Sequence, residues 1–341
     1  MKDSINIAIA GATGYIGLEL IKILSKHPRV KIVYLSANKS SGKSIYLFDK
    51  KIKNSKLPII TKVDEILMSN VDVIFSALPN GEAHKIAKKL CIGNRLIDLS
   101  ADFRITNPKI YKKWYGKEHL SKNLINKSLY SLTEFSRKKI KKYKIISCPG
   151  CYPTSVQLPL IPLIKSKMIR TASILIDSKS GFSGAGKNIN KKFQFKKLLE
   201  SVSSYAIGSH RHMPEIDQEL MKAAKKKVKV TFTPHLIPMF RGILSTIYLD
   251  VEKNYSAKYI YSYLKKYHKN NFFVKFAKFN KPIGTGDVVN TNDCKISVCK
   301  NREKNKIIII SVIDNLIKGA AGQAVQNMNV AYDFNETLGL K

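Results

Sequence analysis

The chain has 341 residues, 60 of them Lys or Arg against 24 Asp or Glu, for a formal charge of +36 and a pI near 9.9. That length exceeds what one core usually fills, so two domains are expected. No apolar run reaches the ~18 residues of a membrane span, and the five Cys are unevenly spaced, which together point to a reduced, cytoplasmic protein with no membrane partner. Nucleic acid is not expected either. Only eight of the basic residues are Arg, the 52 Lys are spread along the whole chain, and the side chain suited to bidentate phosphate contact is not enriched. A positive field would still steer anionic substrates inward.

Ile5 to Ala10 reads as a buried strand, followed at once by Gly11-Ala12-Thr13-Gly14-Tyr15-Ile16-Gly17 and an apolar-periodic helix through Leu18, Leu20, Ile21 and Leu24. Strand, glycines and helix in that order suit a dinucleotide. Gly11 allows the tight turn, Gly14 lets a pyrophosphate approach, and Gly17 lets helix and strand pack. Thr13, Tyr15 and Ile16 complete the expected cofactor loop. A second strand at 31–36 would end near the adenosine ribose, yet no acid occurs between Glu19 and Asp49. Ser36, Lys39 and Ser40 stand there instead, hydroxyls and an ammonium suited to a 2′-phosphate, so NADP is expected. Further strands at 71–77, 96–99 and 145–146 alternate with helices, and Pro79, in the loop after the first of these, is a candidate cofactor contact.

Ser147-Cys148-Pro149-Gly150-Cys151-Tyr152-Pro153-Thr154 places a thiol between a short apolar strand and an apolar helix. At a helix N-terminus, unpaired N–H groups and the macrodipole favour thiolate and can hold an oxyanion. Burial in a core, a redox Cys148-x-x-Cys151 pair and a zinc site with Cys294 and Cys299 are the competing readings. Metal is not expected.

The texture then changes to longer strands, at 173–177, 228–233, 243–251, 273–279, 295–299 and 307–313, which implies a largely antiparallel sheet. Ser180-Gly181-Phe182-Ser183-Gly184-Ala185-Gly186 is a Gly/Ser loop able to offer donors to an anion. In Ser209-His210-Arg211-His212-Met213-Pro214-Glu215, an extended backbone would put His210 and His212 on one face, and Pro214 opens a helix. Either imidazole suits proton exchange. Glu215 would orient a His or favour its own helix N-terminus. Arg104 and Arg241, isolated in a Lys-rich chain, are candidates for a carboxylate or phosphate.

In order and spacing, the glycine loop at 11–17, Leu99-Ser100-Ala101-Asp102-Phe103-Arg104, Pro149 to Thr154, Ser180 to Gly186, His210 to Ile216 and Asp314-Asn315-Leu316-Ile317-Lys318-Gly319-Ala320-Ala321 resemble N-acetyl-gamma-glutamyl-phosphate reductase nearly end to end. Aspartate-semialdehyde dehydrogenase is a more distant likeness. The resemblance implies a Rossmann-type doubly wound α/β domain (1–150 with 315–341) and an α+β catalytic and dimerisation domain (151–314) with a mixed, largely antiparallel sheet. It implies a homo-oligomer, dimer or tetramer, that reduces N-acetyl-glutamyl 5-phosphate with NADPH in the third step of arginine biosynthesis. Cys151 corresponds to the nucleophile, one of His210 and His212 to the base, and Asn315 to a contact near the nicotinamide. Ser183 and Gly184 join the cofactor set; Ser180, Arg104 and Arg241 join the substrate set. Cys148, Phe182 and Ser155 depart from the family pattern without removing a functional group.

Overall fold

The computed structural model describes residues 3–52, 56–66, 68–90, 93–187, 200–252 and 255–341. It divides into two compact units, Met1–Pro149 with Ala320–Lys341, and Gly150–Gly319.

The first unit is built on strands β1 (Ile5–Ala10), β2 (Val30–Ser36), β3 (Ile60–Thr61), β4 (Val73–Ser76), β5 (Arg95–Asp98), β6 (Ser128–Tyr130) and β7 (Ile145–Ser147). They pair in parallel in the order β3-β2-β1-β4-β5-β7-β6, so the sheet reverses direction of growth between β1 and β4, as the doubly wound expectation requires. Both faces are covered, which is why β1 is apolar except at Asn6. Ile5, Ile7 and Ile9 pack with helix α1 (Tyr15–Leu24) and the C-terminal helix Gly322–Ala331, while Ala8 and Ala10 meet the side holding α2 (Ala83–Lys88).

That C-terminal helix is buried on nearly every side, so its polar residues must find partners inside. Gln323 donates to Thr133 Oγ1 at 2.5 Å, Gln326 to Glu134 at 3.0 Å, and Asn327 to the Ser131 carbonyl at 3.0 Å. β6 and helix α3 (Pro108–Tyr115) lie outside the elements expected from the sequence, although Asn107 caps α3 and Gly116 ends it at φ 70°.

The second unit holds a seven-stranded sheet in the order β12-β13-β14-β11-β8-β10-β9. Its strands are β8 (Leu175–Gly181), β9 (Ser203–Ser204), β10 (Thr231–Ile237), β11 (Ile243–Asp250), β12 (Val274–Phe276), β13 (Cys294–Lys300) and β14 (Lys306–Ile313). The sheet is mixed and largely antiparallel: β8 with β10 and β12 with β13 run parallel, the other pairs antiparallel. Helices α4 (Cys151–Lys165), α5 (Met213–Ala224) and α6 (Ala257–Tyr267) belong to this unit.

α4 is buried from Tyr152 to Ile164 despite carrying Pro159 and Pro162. A proline at 162 cannot donate to the Leu158 carbonyl four residues back. The His268 ring takes that place, its Nε2 lying 3.0 Å from the Leu158 oxygen while Asn271 binds its Nδ1 at 2.8 Å. Ser155 is satisfied likewise: its hydroxyl donates to the Tyr152 carbonyl at 2.9 Å and meets Ser245 Oγ at 2.7 Å, which in turn meets Ser178 Oγ at 2.8 Å. Apolar strands thus place α4, and with it the thiol at its first position.

Candidate active site

In the first unit the glycine loop is shaped by close backbone contact. Gly11 has φ +86° and a Cβ there would fall 2.5 Å from the Ala77 carbonyl oxygen; one on Gly17 would fall 2.2 Å from that of Gly11. Both positions exclude a side chain. Gly14 begins α1 with no capping side chain, no acid occupies the first turn, and a Cβ on Gly14 would meet only the Gly11 oxygen, at 3.4 Å. The residues present therefore fit a dinucleotide pyrophosphate: open space beside a helix N-terminus whose first N–H groups carry the positive end of the dipole. Thr13, Tyr15 and Ile16 lie half-buried on this turn; Pro79 and Lys39 are exposed and Ser40 is half-buried.

Ser36 differs from expectation. It is fully buried in register with Ala10, and its carbonyl accepts the N–H groups of Gly11 and Ala12 at 2.8 and 3.0 Å. It shapes the glycine turn from beneath, and its hydroxyl is not on the surface a ribose would meet.

Arg104 also takes another place. Its Nε donates to the Cys148 carbonyl and its Nη2 to that of Leu99, both at 2.8 Å, and it is 8% exposed. Because β5 and β7 end here, the guanidinium braces their C-terminal edge through main-chain oxygens. Asp102 from the same motif grips the loop after β4, accepting from Gly81 N at 2.7 Å and Ala83 N at 3.0 Å.

In the second unit Cys151 is the first residue of α4, whose N-cap Gly150 has extended φ −67° and ψ 161° and no side-chain cap. The thiol is half-buried, unlike Cys148, whose thiol burial pushes up to about 12. Cys148 sits in the apolar core of the first unit with Asn327 Nδ2 3.5 Å from its sulfur. It is placed as a core residue, whereas Cys151 is placed as an accessible one.

The His segment forms a turn, not an extended stretch, yet both rings converge at 4.9 Å between centroids. His212 lies against the residue before the thiol: a Cβ on Gly150 would fall 2.5 Å from His212 Nε2. Glycine there makes room for the imidazole. Glu215, fully buried in the first turn of α5, accepts the Gly150 N–H through Oε1 at 2.8 Å. The single motif thus delivers both an imidazole and a carboxylate to the peptide preceding Cys151.

His210 plays a different part. Its Nδ1 accepts the His212 N–H at 3.1 Å, and its Nε2 lies 3.4 Å from Tyr205 Oη. Burial, aided by the Arg211 charge, pushes its pKa down to about 4, so the ring is neutral. With Nδ1 accepting, the proton resides on Nε2 and points to Tyr205. Tyr205 Oη in turn meets Tyr152 Oη at 3.1 Å. Burial raises both phenols, that of Tyr205 to about 12, which keeps them neutral hydrogen-bonding groups. Neither tyrosine was singled out from sequence as part of a site, because only the tertiary fold joins positions 152, 205 and 210.

The remaining loops interlock. Gly181, Phe182 and Ser183 donate their N–H groups to the carbonyls of Gly242, Met239 and Phe240 at 2.9, 2.9 and 3.0 Å. The Gly/Ser loop was expected to turn such donors toward an anion; three of them instead zip it to the 239–242 loop. Ser180 is buried, its hydroxyl donating to the Gly181 carbonyl at 3.0 Å. Asn315 joins both loops, its Oδ1 accepting Gly242 N at 2.7 Å and its Nδ2 donating to Ser183 Oγ at 2.8 Å beside Gly184. Arg241 is held by Asp314, Nη1 to Oδ2 at 3.2 Å, with its side chain 15% exposed. Among the described residues no group of three or more His, Cys, Asp or Glu is placed to hold a metal ion.

Comparison with known proteins sets this geometry in a family. Residues 6–143 match the semialdehyde dehydrogenase NAD binding domain and residues 151–315 the semialdehyde dehydrogenase dimerisation domain. N-acetyl-gamma-glutamyl-phosphate reductase of Ehrlichia canis is 43% identical over 342 aligned residues, spanning 100% of this chain and 98% of that protein. The chain belongs to the N-acetyl-gamma-glutamyl-phosphate reductase family. The probable chloroplastic N-acetyl-gamma-glutamyl-phosphate reductase of Arabidopsis thaliana, 41% identical, covers 99% of this chain over 84% of its own length. Family membership makes the chain an oxidoreductase with a dinucleotide-binding domain. Among solved structures, aspartate semialdehyde dehydrogenase II from Vibrio cholerae superposes with a TM-score of 0.73 at 18% identity, over 97% of this chain and 99% of that one. The Candida albicans aspartate semialdehyde dehydrogenase with NADP gives 0.67 at 17% identity, over 96% and 98%. These two likenesses show the fold of this chain. No helix among the described residues is long and apolar enough to cross a membrane.

Proposed function

We propose that this protein reduces N-acetyl-L-glutamyl 5-phosphate to N-acetyl-L-glutamate 5-semialdehyde with NADPH, releasing phosphate, through a thioester on Cys151. The observation that carries the reading is Cys151 at the uncapped N-terminus of α4 with His212 packed on Gly150, in a chain with a full-length relative of that name.

The acyl phosphate carbonyl is attacked by the Cys151 thiolate, and the C–O bond to phosphate breaks as the thioester forms. Gly11, Gly14 and Gly17 would hold NADPH, and the chemistry it would supply is hydride for reduction of the thioester carbon. His212 takes the proton from sulfur before attack, donates it to the oxygen of the reduced centre and takes it back as that centre collapses. Collapse of the thiohemiacetal expels the thiolate and frees the aldehyde. N–H groups of the first turn of α4 stabilise each oxyanion, Pro153 having none to give. His210 fixes the backbone of His212 and stays neutral. Arg241, oriented by Asp314, binds the substrate's carboxylate or phosphate; Arg104 supports the scaffold. Ser183, Gly184 and Asn315 form one hydrogen-bonded ledge for the cofactor's reactive end.

The absence of an acid after β2 favours NADPH over NADH, with Lys39 and Ser40 available to a 2′-phosphate. Leu175 and Tyr248, 47% and 39% exposed on neighbouring strands of the second sheet, suit coverage by a second copy, in keeping with the dimerisation domain matched there. On that surface we infer a homo-oligomer. Assay of the purified protein with N-acetyl-glutamyl phosphate and NADPH decides the reading: stoichiometric phosphate, NADP and semialdehyde support it. Turnover restricted to a longer acyl phosphate, such as an aminoadipate derivative, would contradict it.

A further inference from the structure

Gly319 occupies the π-helical turn Ile317–Ala321. Its φ lies outside the left-handed region, so the backbone there would accept any residue. Space decides otherwise. A Cβ on Gly319 would lie 2.7 Å from Cys151 Cβ, 3.2 Å from Cys151 Cα and 3.3 Å from Ile313 Cδ1. Cys151 Cβ hangs directly from the backbone of α4, and Ile313 is fully buried at the end of β14, so neither can yield as a long surface side chain would.

The turn is itself held firmly. Gly319 N donates to the Asp314 carbonyl at 2.9 Å. The buried Asp314 carboxylate accepts from Leu316 N at 2.9 Å, Ile317 N at 3.1 Å and Asn290 N at 2.8 Å while binding Arg241. Lys318 is fully buried, its ammonium 5.7 Å from the centre of the Phe273 ring.

We infer that Gly319 is a positioning residue for the nucleophile: its bare backbone is the surface on which Cys151 Cβ rests, and this contact sets where the thiol points. The inference builds on Cys151 as the attacking group. A displacement on the order of 1 Å at a reacting atom costs about 100-fold in rate.

The test compares Gly319→Ala with Gly286→Ala, a glycine around which an added Cβ meets nothing within 4 Å. Expected for Gly319→Ala are a kcat about 100-fold lower, an NADPH KM within about twofold of the parent, and a changed rate of iodoacetamide capture at Cys151. Gly286→Ala should match the parent in all three. A thermal-melting cycle isolates the contact: Gly319→Ala should lower Tm by several degrees in the parent and by less than half as much in a Cys151→Gly background. Should Gly319→Ala alone not fold, a folded double variant supports the inference and failure in both backgrounds overturns it. Parental kcat and alkylation rate in Gly319→Ala, or equal Tm losses in the two backgrounds, also overturn it. Failure of the covalent reading would show separately, as the absence of an acyl adduct in the parent protein, and leaves the melting cycle interpretable.

Discussion

His210 Nδ1 accepts the backbone N–H of His212 at 3.1 Å. That one bond separates two imidazoles the sequence leaves equivalent, because it fixes the tautomer of His210, directs its remaining proton to Tyr205, and leaves His212 beside Gly150. With its pKa pushed down to about 4 by burial, His210 stays neutral from about pH 5.5 to 9 and can own no ionisation in that range. An imidazole limb of the kcat–pH profile there should persist in His210→Asn and vanish in His212→Asn. The reverse pattern would exchange their roles.

Cys151→Ser should lower turnover by roughly a thousandfold or more while NADPH still binds, since an alcohol is a poor nucleophile at neutral pH. Alkylation should follow the same distinction. Iodoacetamide at pH 7.5 is expected to modify Cys151 first and to spare Cys148, which is buried with its thiol pushed up to about 12. Peptide mass mapping reads this out, and preferential loss of Cys148 would contradict the assignment.

Glu215 holds the peptide before the nucleophile. Replacing it with Ala leaves a buried Gly150 N–H without this acceptor, at a cost of about 1–3 kcal/mol, and lets Gly150 shift beneath His212. Glu215→Gln keeps a carbonyl oxygen for the bond. Melting and kcat should therefore rank parent, Gln, Ala, with the larger step at Ala; equal losses in the two variants would show that charge, not the bond to Gly150, is what matters.

Much of this was legible in the residues. The glycine spacing at 11–17 and the thiol-bearing helix start at Cys151 are local signals, and the structure places both as the local rules require. Helix α6, outside the expected elements, carries a readable signal, since Ser256 caps it through Tyr259 N and Ile260 and Leu264 mark one buried face. Other features depend on contacts distant in sequence. Glu215 reaches Gly150 across 65 positions and Asn315 reaches Ser183 across 132, and no periodicity encodes such pairings. Arg104 and Ser36 are ligand candidates by residue type, but a sequence shows neither that carbonyls already hold the Arg104 guanidinium nor that Ser36 is buried under the glycine turn.

Asp98 makes stability depend on pH. Burial, reinforced by neighbouring Asp102, raises its carboxyl to about 7, so between the unfolded value near 3.9 and about 7 the folded protein holds a proton the unfolded chain lacks. This stabilisation is complete below about pH 4 and is lost as pH rises through 7. Asp98→Asn, which mimics the protonated acid and keeps the oxygen that accepts Ser100 N at 2.9 Å, should raise stability at pH 8 and change it little at pH 4. Melting curves at the two pH values check this, and an equal effect at both would refute the titration.

His119 works in the opposite direction. Burial and the nearby His84 hold its ring down to about 4, so the unfolded chain binds the extra proton and stability falls as pH drops from about 6.5 through 4. His119→Asn should flatten that acid loss in chemical denaturation at pH 4.5 relative to pH 7, and an unchanged slope would exclude His119 as its source.

The central claim is that Cys151 carries the acyl group. Mixing the protein with N-acetyl-glutamyl phosphate in the absence of NADPH, quenching in acid and mapping peptides by mass should reveal an N-acetyl-glutamyl adduct on Cys151 that disappears when NADPH is added before the quench. Full turnover with no adduct on Cys151, or an adduct on another residue, would contradict the account.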